Sequence, residues 1–324
     1  MESEVAELEP ILEIRHMSVF FTQYERGIRR RILPVIRDLT LSVKAGEIVA
    51  VVGASGSGKS LLAHGILGIL PYNSHMEGTI RYAGETLTPE RSAKLRGKEI
   101  ALIPQGVAYL DPLMKVGDQL RKGNRSEAVR SRIRRALERY GLGAETEALY
   151  PFELSGGMAR RILIASAVAE DPRLIIADEP TPGLDARAAE RILGHFRELA
   201  DEGSGVLFIT HDLELALTVA DRVAVFYAGE TIEEALTEDF KEPERLRHPF
   251  TKALWRAMPE HGFEPISGAQ PYPGVVPAGC PFAGQCEDCL PECVASEEIP
   301  LREFRGGRVR CLHPQGGREK EEAI

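Results

Sequence analysis

The chain is poor in the features that mark membrane, secreted and nucleic-acid-binding proteins. No apolar run comes near the ~20 residues that cross a bilayer. The opening residues, Met1-Glu2-Ser3-Glu4-Val5-Ala6-Glu7, are acidic and lack the basic and apolar stretches of a secretory leader. The expectation is a cytoplasmic chain that serves a membrane only through partners. Cysteine is absent before Cys280, and thiols in a cytoplasmic chain are not expected to pair as disulfides. Positive charge is in deficit: a net charge of −9 over 324 residues argues against the broad basic face that nucleic acid requires. Two clusters depart from that average, Arg26, Arg29, Arg30 and Arg31, and the stretch from Arg121 to Arg139. The second carries Val129, Ile133, Leu137 and Tyr140 at helical spacing, so its arginines read as the wet side of an amphipathic helix. No internal repeat is visible, so any functional module occurs once. Hydrophobic content of 43% and charged content of 27% are those of a globular protein of one large or two modest domains.

What is present is concentrated in a few motifs. Gly53-Ala54-Ser55-Gly56-Ser57-Gly58-Lys59-Ser60 fits the phosphate-cradling pattern G-x-x-x-x-G-K-[ST] at every fixed position. The apolar run Glu47 to Val52 leads in as a buried strand, and Ser60 to Leu67 leads out as a helix. Glycines let successive N–H groups turn toward one anion, and the helix start aims its positive end at the same place. Lys59 is then expected to reach the β- and γ-phosphates, and Ser60 to ligate Mg²⁺.

Residues 10 to about 105 read as β-rich, with strands at Ile11–Ile14 and Leu39–Val43, and about 106–163 as mostly helical. From position 174 strand and helix alternate: Leu174–Ala177, then Asp185–Leu199, then Val206–Ile209. That alternation predicts a parallel sheet with helical crossovers. Asp178-Glu179 follows the first of these strands, where a carboxylate points into the ligand crevice. Asp178 suits Mg²⁺ held through water, and Glu179 suits orientation or deprotonation of the attacking water. Leu154-Ser155-Gly156-Gly157-Met158 opens a second helix, with Ser155 as N-cap and two glycines that let a phosphate approach. Two anion sites in one chain are more than one nucleotide needs.

These motifs together resemble the nucleotide-binding subunit of an ATP-binding-cassette (ABC) transporter. Gly53 to Ser60 is similar to the Walker A loop and Leu174 to Glu179 to Walker B. Gln105, in Ile103-Pro104-Gln105, resembles the Q-loop glutamine, and Leu154 to Met158 the family signature, with methionine where glutamine is commoner. Pro182-Gly183-Leu184-Asp185 resembles the D-loop, with Pro-Gly in place of Ser-Ala, and His211 the switch histidine. The resemblance implies an α/β fold: a RecA-like P-loop core with antiparallel β and helical subdomains, the cassette spanning 10–260 and its helical subdomain about 106–163. It also implies why two anion sites exist. Two cassettes pack head to tail, and each ATP lies between Gly53, Ser55, Gly56, Ser57, Gly58, Lys59 and Ser60 of one chain and Ser155, Gly156 and Gly157 of the other, with Asp185 nearby. In that scheme Glu179, His211 and Gln105 are catalytic, and Ser60, Gln105 and Asp178 surround Mg²⁺. Adenine stacks on an upstream aromatic, for which Tyr24 and Phe21 are the candidates.

Within the family, Tyr150 to Met158, His248-Pro249-Phe250-Thr251, Pro273 to Pro277 and Gly279-Cys280-Pro281-Phe282 are similar to segments of peptide and nickel importers. The implied protein is the ATP-hydrolysing motor of such an importer at the cytoplasmic face of the cell membrane. Its implied partners are a second, different ATPase subunit, two transmembrane permease subunits and an extracytoplasmic substrate-binding protein, with no nucleic acid. Residues 261–324 form a C-terminal extension holding Cys280, Cys286, Cys289, Cys293 and Cys311. Cys280, Cys286, Cys293 and Cys311 resemble the ligand set of a [4Fe–4S] cluster found in some of these ATPases, with Zn²⁺ or free thiols as alternatives. The competing class, a soluble ABC ATPase of nucleic-acid or iron–sulfur metabolism, fits less well. Fewer than a hundred residues separate Lys59 from Ser155, without sustained heptads.

Overall fold

The computed structural model describes residues 9–24, 30–54, 56–296 and 298–314. Ser55, Arg26 and Arg29, singled out in the sequence, lie outside them. Strands β1 (Pro10–Tyr24) and β2 (Arg30–Lys44) open the chain as an antiparallel pair. Strand β3 (Ile48–Gly53) feeds helix α1 (Lys59–Leu67), followed by β4 (Ser74–Tyr82), β5 (Glu85–Thr86), α2 (Pro89–Leu95) and β6 (Ile100–Ile103). Helices α3 (Val116–Arg121), α4 (Glu127–Arg139) and α5 (Gly156–Val168) form the helical segment. Strand and helix then alternate through β7 (Leu174–Asp178), α6 (Ala186–Asp201), β8 (Gly205–Thr210), α7 (Leu213–Val219), β9 (Arg222–Tyr227), β10 (Glu230–Leu236) and α8 (Pro249–Arg256). The C-terminal part adds α9 (Pro291–Ala295) and the hairpin β11 (Arg302–Phe304) and β12 (Gly307–Val309).

The strands lie in the order β5-β4-β1-β2-β10-β9-β3-β8-β7-β6. From β9 to β6 every pairing is parallel, while the β5-β4-β1-β2 end is antiparallel. A single pairing, Glu230 with Asp38, stitches the two regions together. The parallel strands read as unbroken apolar runs because both faces are covered. Ile48, Ala50 and Val52 of β3 enter the core that includes the helical segment, whereas Val49 and Val51 enter the core shared with β1, β2 and α1. Strands β7 and β8 alternate in the same way. Burial on both sides therefore fixes the height at which the loops after β3, β6, β7 and β8 emerge, at one edge of the sheet.

Two elements differ from the sequence reading. The strands expected at Ile11–Ile14 and Leu39–Val43 are parts of 15-residue strands. Register shifts between Ile14 and Met17 and again at Val19 break the period-two pattern that would have revealed their length. The basic stretch from Arg121 to Arg139 holds the last residue of α3, a break, and then the expected amphipathic helix, α4. Lys122 adopts a left-handed conformation (φ 49°) that closes α3, and Ser126 caps α4 by accepting from Val129 N. Val129, Ile133, Leu137 and Tyr140 are buried as expected, and several of the arginines meet acids, Arg121 with Glu147, Arg132 with Glu170 and Arg139 with Glu198.

The C-terminal segment is bound into the sheet. β12 adds to β10 through Glu233–Val309 and Glu234–Arg308. Beneath it Arg247, 2% exposed, meets Glu233 Oε1 at 3.4 Å and Asp239 Oδ2 at 3.0 Å and donates to the carbonyls of Phe304 and Arg305 at 2.7 and 2.5 Å. Arg310 reaches Asp38 at 2.7 Å. These strands are three residues each, too short for a periodic signal in the sequence.

Candidate active site

The phosphate loop begins where β3 ends against β9. Gly53 lies so close to this neighbour that a Cβ would fall 2.3 Å from the Phe226 carbonyl oxygen, so only glycine fits. Gly58, at φ 97°, turns the chain into α1, whose first turn has no side-chain cap and no acidic residue. Its amino-terminal N–H groups thus remain available to an anion. Lys59 is 6% exposed and folds its ammonium onto the loop, donating to Gly53 O at 2.7 Å and Ala54 O at 2.9 Å. Burial pulls its pKa down, opposed by the neighbouring Glu179 and Asp178 carboxylates.

A cleft of about 260 Å³ opens beside this loop, lined by Val35, Gly56, Gly58, Lys59, Ser60, Leu61, Gln105, Asp178 and Glu179. Asp178 ends β7, is 5% exposed and has an Oδ1 without a hydrogen-bond partner among the described residues. Burial pushes its carboxyl up, and a hydrogen bond from Ser60 opposes the rise. A buried acceptor without a partner, beside a hydroxyl and a second carboxylate, is the donor chemistry that Mg²⁺ takes. Ser60, Asp178 and Gln105 fit that ion. The Ser57 hydroxyl is likewise buried without a partner among the described residues.

Glu179 sits at φ 49°, a left-handed conformation costly for a residue with a Cβ, and its N–H donates to Ile209 O at 2.9 Å. This bend turns its carboxylate toward β8, where His211 Nδ1 lies 2.8 Å from both carboxylate oxygens. Asp212, the next residue, caps α7 by accepting from Leu215 N at 3.0 Å, which fixes the loop that carries the imidazole.

The serine-glycine segment stands apart. Ser155 accepts from Met158 N at 3.2 Å and caps α5. Ser155 and Gly156 are exposed, and neither they nor Gly157 line the cleft. Gly157 instead borders the turn before α6, its Cβ position 3.8 Å from Gly183 O. Asp185 caps α6 by accepting from Ala188 N at 2.9 Å.

Residues 36–182 match the ABC transporter family and 232–293 the C-terminal region of oligopeptide/dipeptide transporter proteins. The oligopeptide transport ATP-binding protein AppD of Bacillus subtilis is 32% identical, covering 96% of this chain and 99% of its own length. OppD of Lactococcus lactis is 39% identical over 78% of this chain and 77% of its own. A solved dimer of the ATP-binding cassette MJ0796 in a post-hydrolysis state with ADP and Pi is 28% identical. It covers 70% of this chain and 98% of that one with a TM-score of 0.60. The chain belongs to the ABC transporter ATP-binding subunits of the oligopeptide/dipeptide family. It is an ABC-type ATP hydrolase with a P-loop core.

In this cassette the fold brings Gly56, Gly58, Lys59, Ser60, Gln105, Asp178 and Glu179 to one cleft, with His211 against Glu179. Tyr24 is not among the lining residues. It is 65% exposed at the end of β1, with the Arg30 guanidinium 5.7 Å from its ring centre. Phe21 is half-buried and packs on the β1–β2 core. Sequence reasoning missed Val35, the β2 residue that walls the cleft and touches Gly58. No motif carries it, because its place is set by how β2 lies beside the phosphate loop and Gly229. It also missed Arg160, whose partner is 56 residues distant.

Cys280, Cys286, Cys293 and Cys311 line one small cavity with His248 and His313, and Cys289 is not among its lining residues. Burial pushes the Cys280 thiol up to about 12 and the Cys311 thiol up to about 11. Among the described residues no group of three or more His, Cys, Asp or Glu side chains stands in metal-holding geometry. The thiols supply suitable donors gathered in one place, without the closed ligand sphere. No helix among the described residues is long and apolar enough to cross a membrane.

Proposed function

We propose that the chain is the ATP-driven motor of a peptide importer, acting as one half of a pair of cassettes on two permease subunits supplied by an extracytoplasmic binding protein. The relatives' names favour peptide over nickel cargo. The observation that carries the paired arrangement is the separation within one chain. The cleft gathers Lys59, Ser60, Gln105, Asp178 and Glu179, while the Ser155 cap is exposed and outside it. A helix start with two glycines that lies outside this chain's own cleft suits a nucleotide held by the opposite cassette.

In this reading the phosphate-loop amides and Lys59 bind the β- and γ-phosphates, and Glu179 accepts a proton from the attacking water, held in orientation by His211. Mg²⁺, when bound, neutralises charge that develops on the phosphate oxygens. Clasping ATP from both sides closes the pair, and cleavage removes the differential affinity that kept it closed. Beside Gln105, the exposed Val107, Tyr109, Leu113 and Met114 offer an apolar face for the permease, in keeping with a peripheral position at the cytoplasmic surface. Met158 in the signature supports a partner ATPase of different sequence.

The test is Ser155→Arg in the assembled transporter. It is expected to leave nucleotide bound at this chain's own loop while abolishing turnover at the opposite site. Undiminished hydrolysis at both sites would overturn the paired reading. Robust cooperative hydrolysis by the lone purified chain would show a homodimer instead of a heterodimer.

The four cavity cysteines are proposed as ligands of a [4Fe–4S] cluster, with Zn²⁺ the alternative. Either would cross-link a segment with little apolar content of its own. Anaerobic purification should give a brown protein with iron and sulfide. A colourless, iron-free product after anaerobic reconstitution would refute the cluster, and bound zinc would replace it.

A further inference from the structure

Arg160 is a buried cation that none of the nucleotide motifs accounts for. It lies on α5, four residues after Gly156, and is 5% exposed. Its Nη1 donates to the carbonyl of Pro104 at 2.6 Å. Pro104 is itself buried, and the next residue, Gln105, is exposed in the nucleotide cleft. Burial lowers the Arg160 pKa, while Asp178 and Glu179 act on it as the nearest opposing charges. The guanidinium therefore stands where three elements meet: the end of β6, the end of β7 and the helix opened by the signature.

The neighbouring Arg161 makes the opposite attachment. Its Nη1 donates to Tyr140 O at 2.9 Å and Gly141 O at 3.2 Å, at the end of α4. Two consecutive arginines thus hold the helical segment on one side and the glutamine loop on the other. A desolvated guanidinium needs compensation to stay buried, and a single backbone carbonyl in a loop is a specific partner rather than a general one. If Arg160 only satisfied buried polar atoms, its loss would cost stability and leave the reaction alone. The position of the Pro104 carbonyl it meets, immediately before Gln105, says otherwise.

We propose that Arg160 is a positioning residue that locks the glutamine loop to the signature helix, so that Gln105 reaches the cleft only while α5 is in place. The inference rests on Gln105 acting in hydrolysis. It makes the placement of the helix that serves the opposite nucleotide a condition for assembling this chain's own site.

The experiment is a double-mutant cycle on ATP hydrolysis by the assembled transporter, with Arg160→Met, Gln105→Ala and the pair. Arg160→Met is expected to lower kcat about tenfold with KM for ATP within about twofold, the pattern of a lost transition-state arrangement. Arg160→Lys, which keeps a charged donor, is expected to recover to within about threefold of the parent. Combined with Gln105→Ala, Arg160→Met should add nothing, because one residue acts through the other. Losses that multiply, or a kcat that Arg160→Met leaves unchanged, would overturn the proposal. A Gln105→Ala variant with parental kcat would instead show that Gln105 is idle, and the proposal would fall with that reading. If Arg160→Met does not fold, Arg160→Gln, which retains a neutral donor, takes its place in the same cycle with the same outcomes.

Discussion

His211 Nδ1 lies 2.8 Å from both oxygens of the Glu179 carboxylate. The two residues come from the ends of neighbouring parallel strands, Glu179 lining the cleft and His211 set against it. The pairing orients the carboxylate toward His211. Glu179→Gln keeps the shape and removes the carboxylate proposed as the proton acceptor. It should lower turnover by about a hundredfold or more while ATP binding stays nearly intact, trapping a closed pair of cassettes. His211→Ala should cost less, since the carboxylate remains. Single-turnover hydrolysis and nucleotide binding on the assembled transporter check both. Parental turnover by Glu179→Gln would remove Glu179 from the mechanism.

Lys59 makes its contacts to Gly53 and Ala54 with the same ammonium that would meet a phosphate. Lys59→Ala should therefore weaken nucleotide affinity itself, by about 1.5–3 kcal/mol for a lost charged hydrogen bond. Equilibrium binding of a fluorescent ATP analogue reads this directly. Unchanged affinity with reduced turnover would move Lys59 from binding to chemistry.

Acid stability should depend on a histidine outside the active site. His195 is 5% exposed on α6, and Tyr140 hydrogen-bonds its Nδ1. Burial, reinforced by Arg139, lowers its pKa from 6.5 to about 4. As pH falls through this interval the unfolded chain takes up a proton before the folded one does. The stability held above pH 6.5 is thus lost progressively down to about pH 4, to an extent of about 3 kcal/mol. Urea midpoints across this range should fall in the parent and fall less steeply in His195→Gln. Parallel slopes would show that His195 does not titrate in this way.

The C-terminal hairpin should be lost when its buried anchor is removed. Arg247→Met removes the buried cation that faces Glu233 and Asp239, leaving Glu233 the backbone N–H groups of residues 247 and 248, and strips donors from the carbonyls of Phe304 and Arg305. Breaking such a pair costs about 3–5 kcal/mol. Thermal unfolding should shift down, with early proteolysis after residue 300. Intact hairpin protection from hydrogen exchange in Arg247→Met would show that β12 pairing alone suffices.

The nucleotide chemistry was legible because it is local. Gly53 to Ser60, Asp178-Glu179 and Ser155 to Gly157 each hold their meaning within a few residues, where glycines, an N-cap or a strand end dictate the backbone. The alternating apolar runs from 174 onward likewise declared the parallel sheet, since strands covered on both faces have no polar side to hide. Tertiary structure alone decided what these segments meet. The placement of β2 beside the phosphate loop brought Val35 to the cleft, the bend at Glu179 turned its carboxylate to His211, and the packing of α5 under β6 gave Arg160 to Pro104. It also drew β12 onto β10 and gathered four thiols round one cavity. Local pattern fixes backbone conformation over a few residues at a time. Contacts between residues far apart in sequence depend on how whole layers bury one another, and no short stretch of chain carries that information.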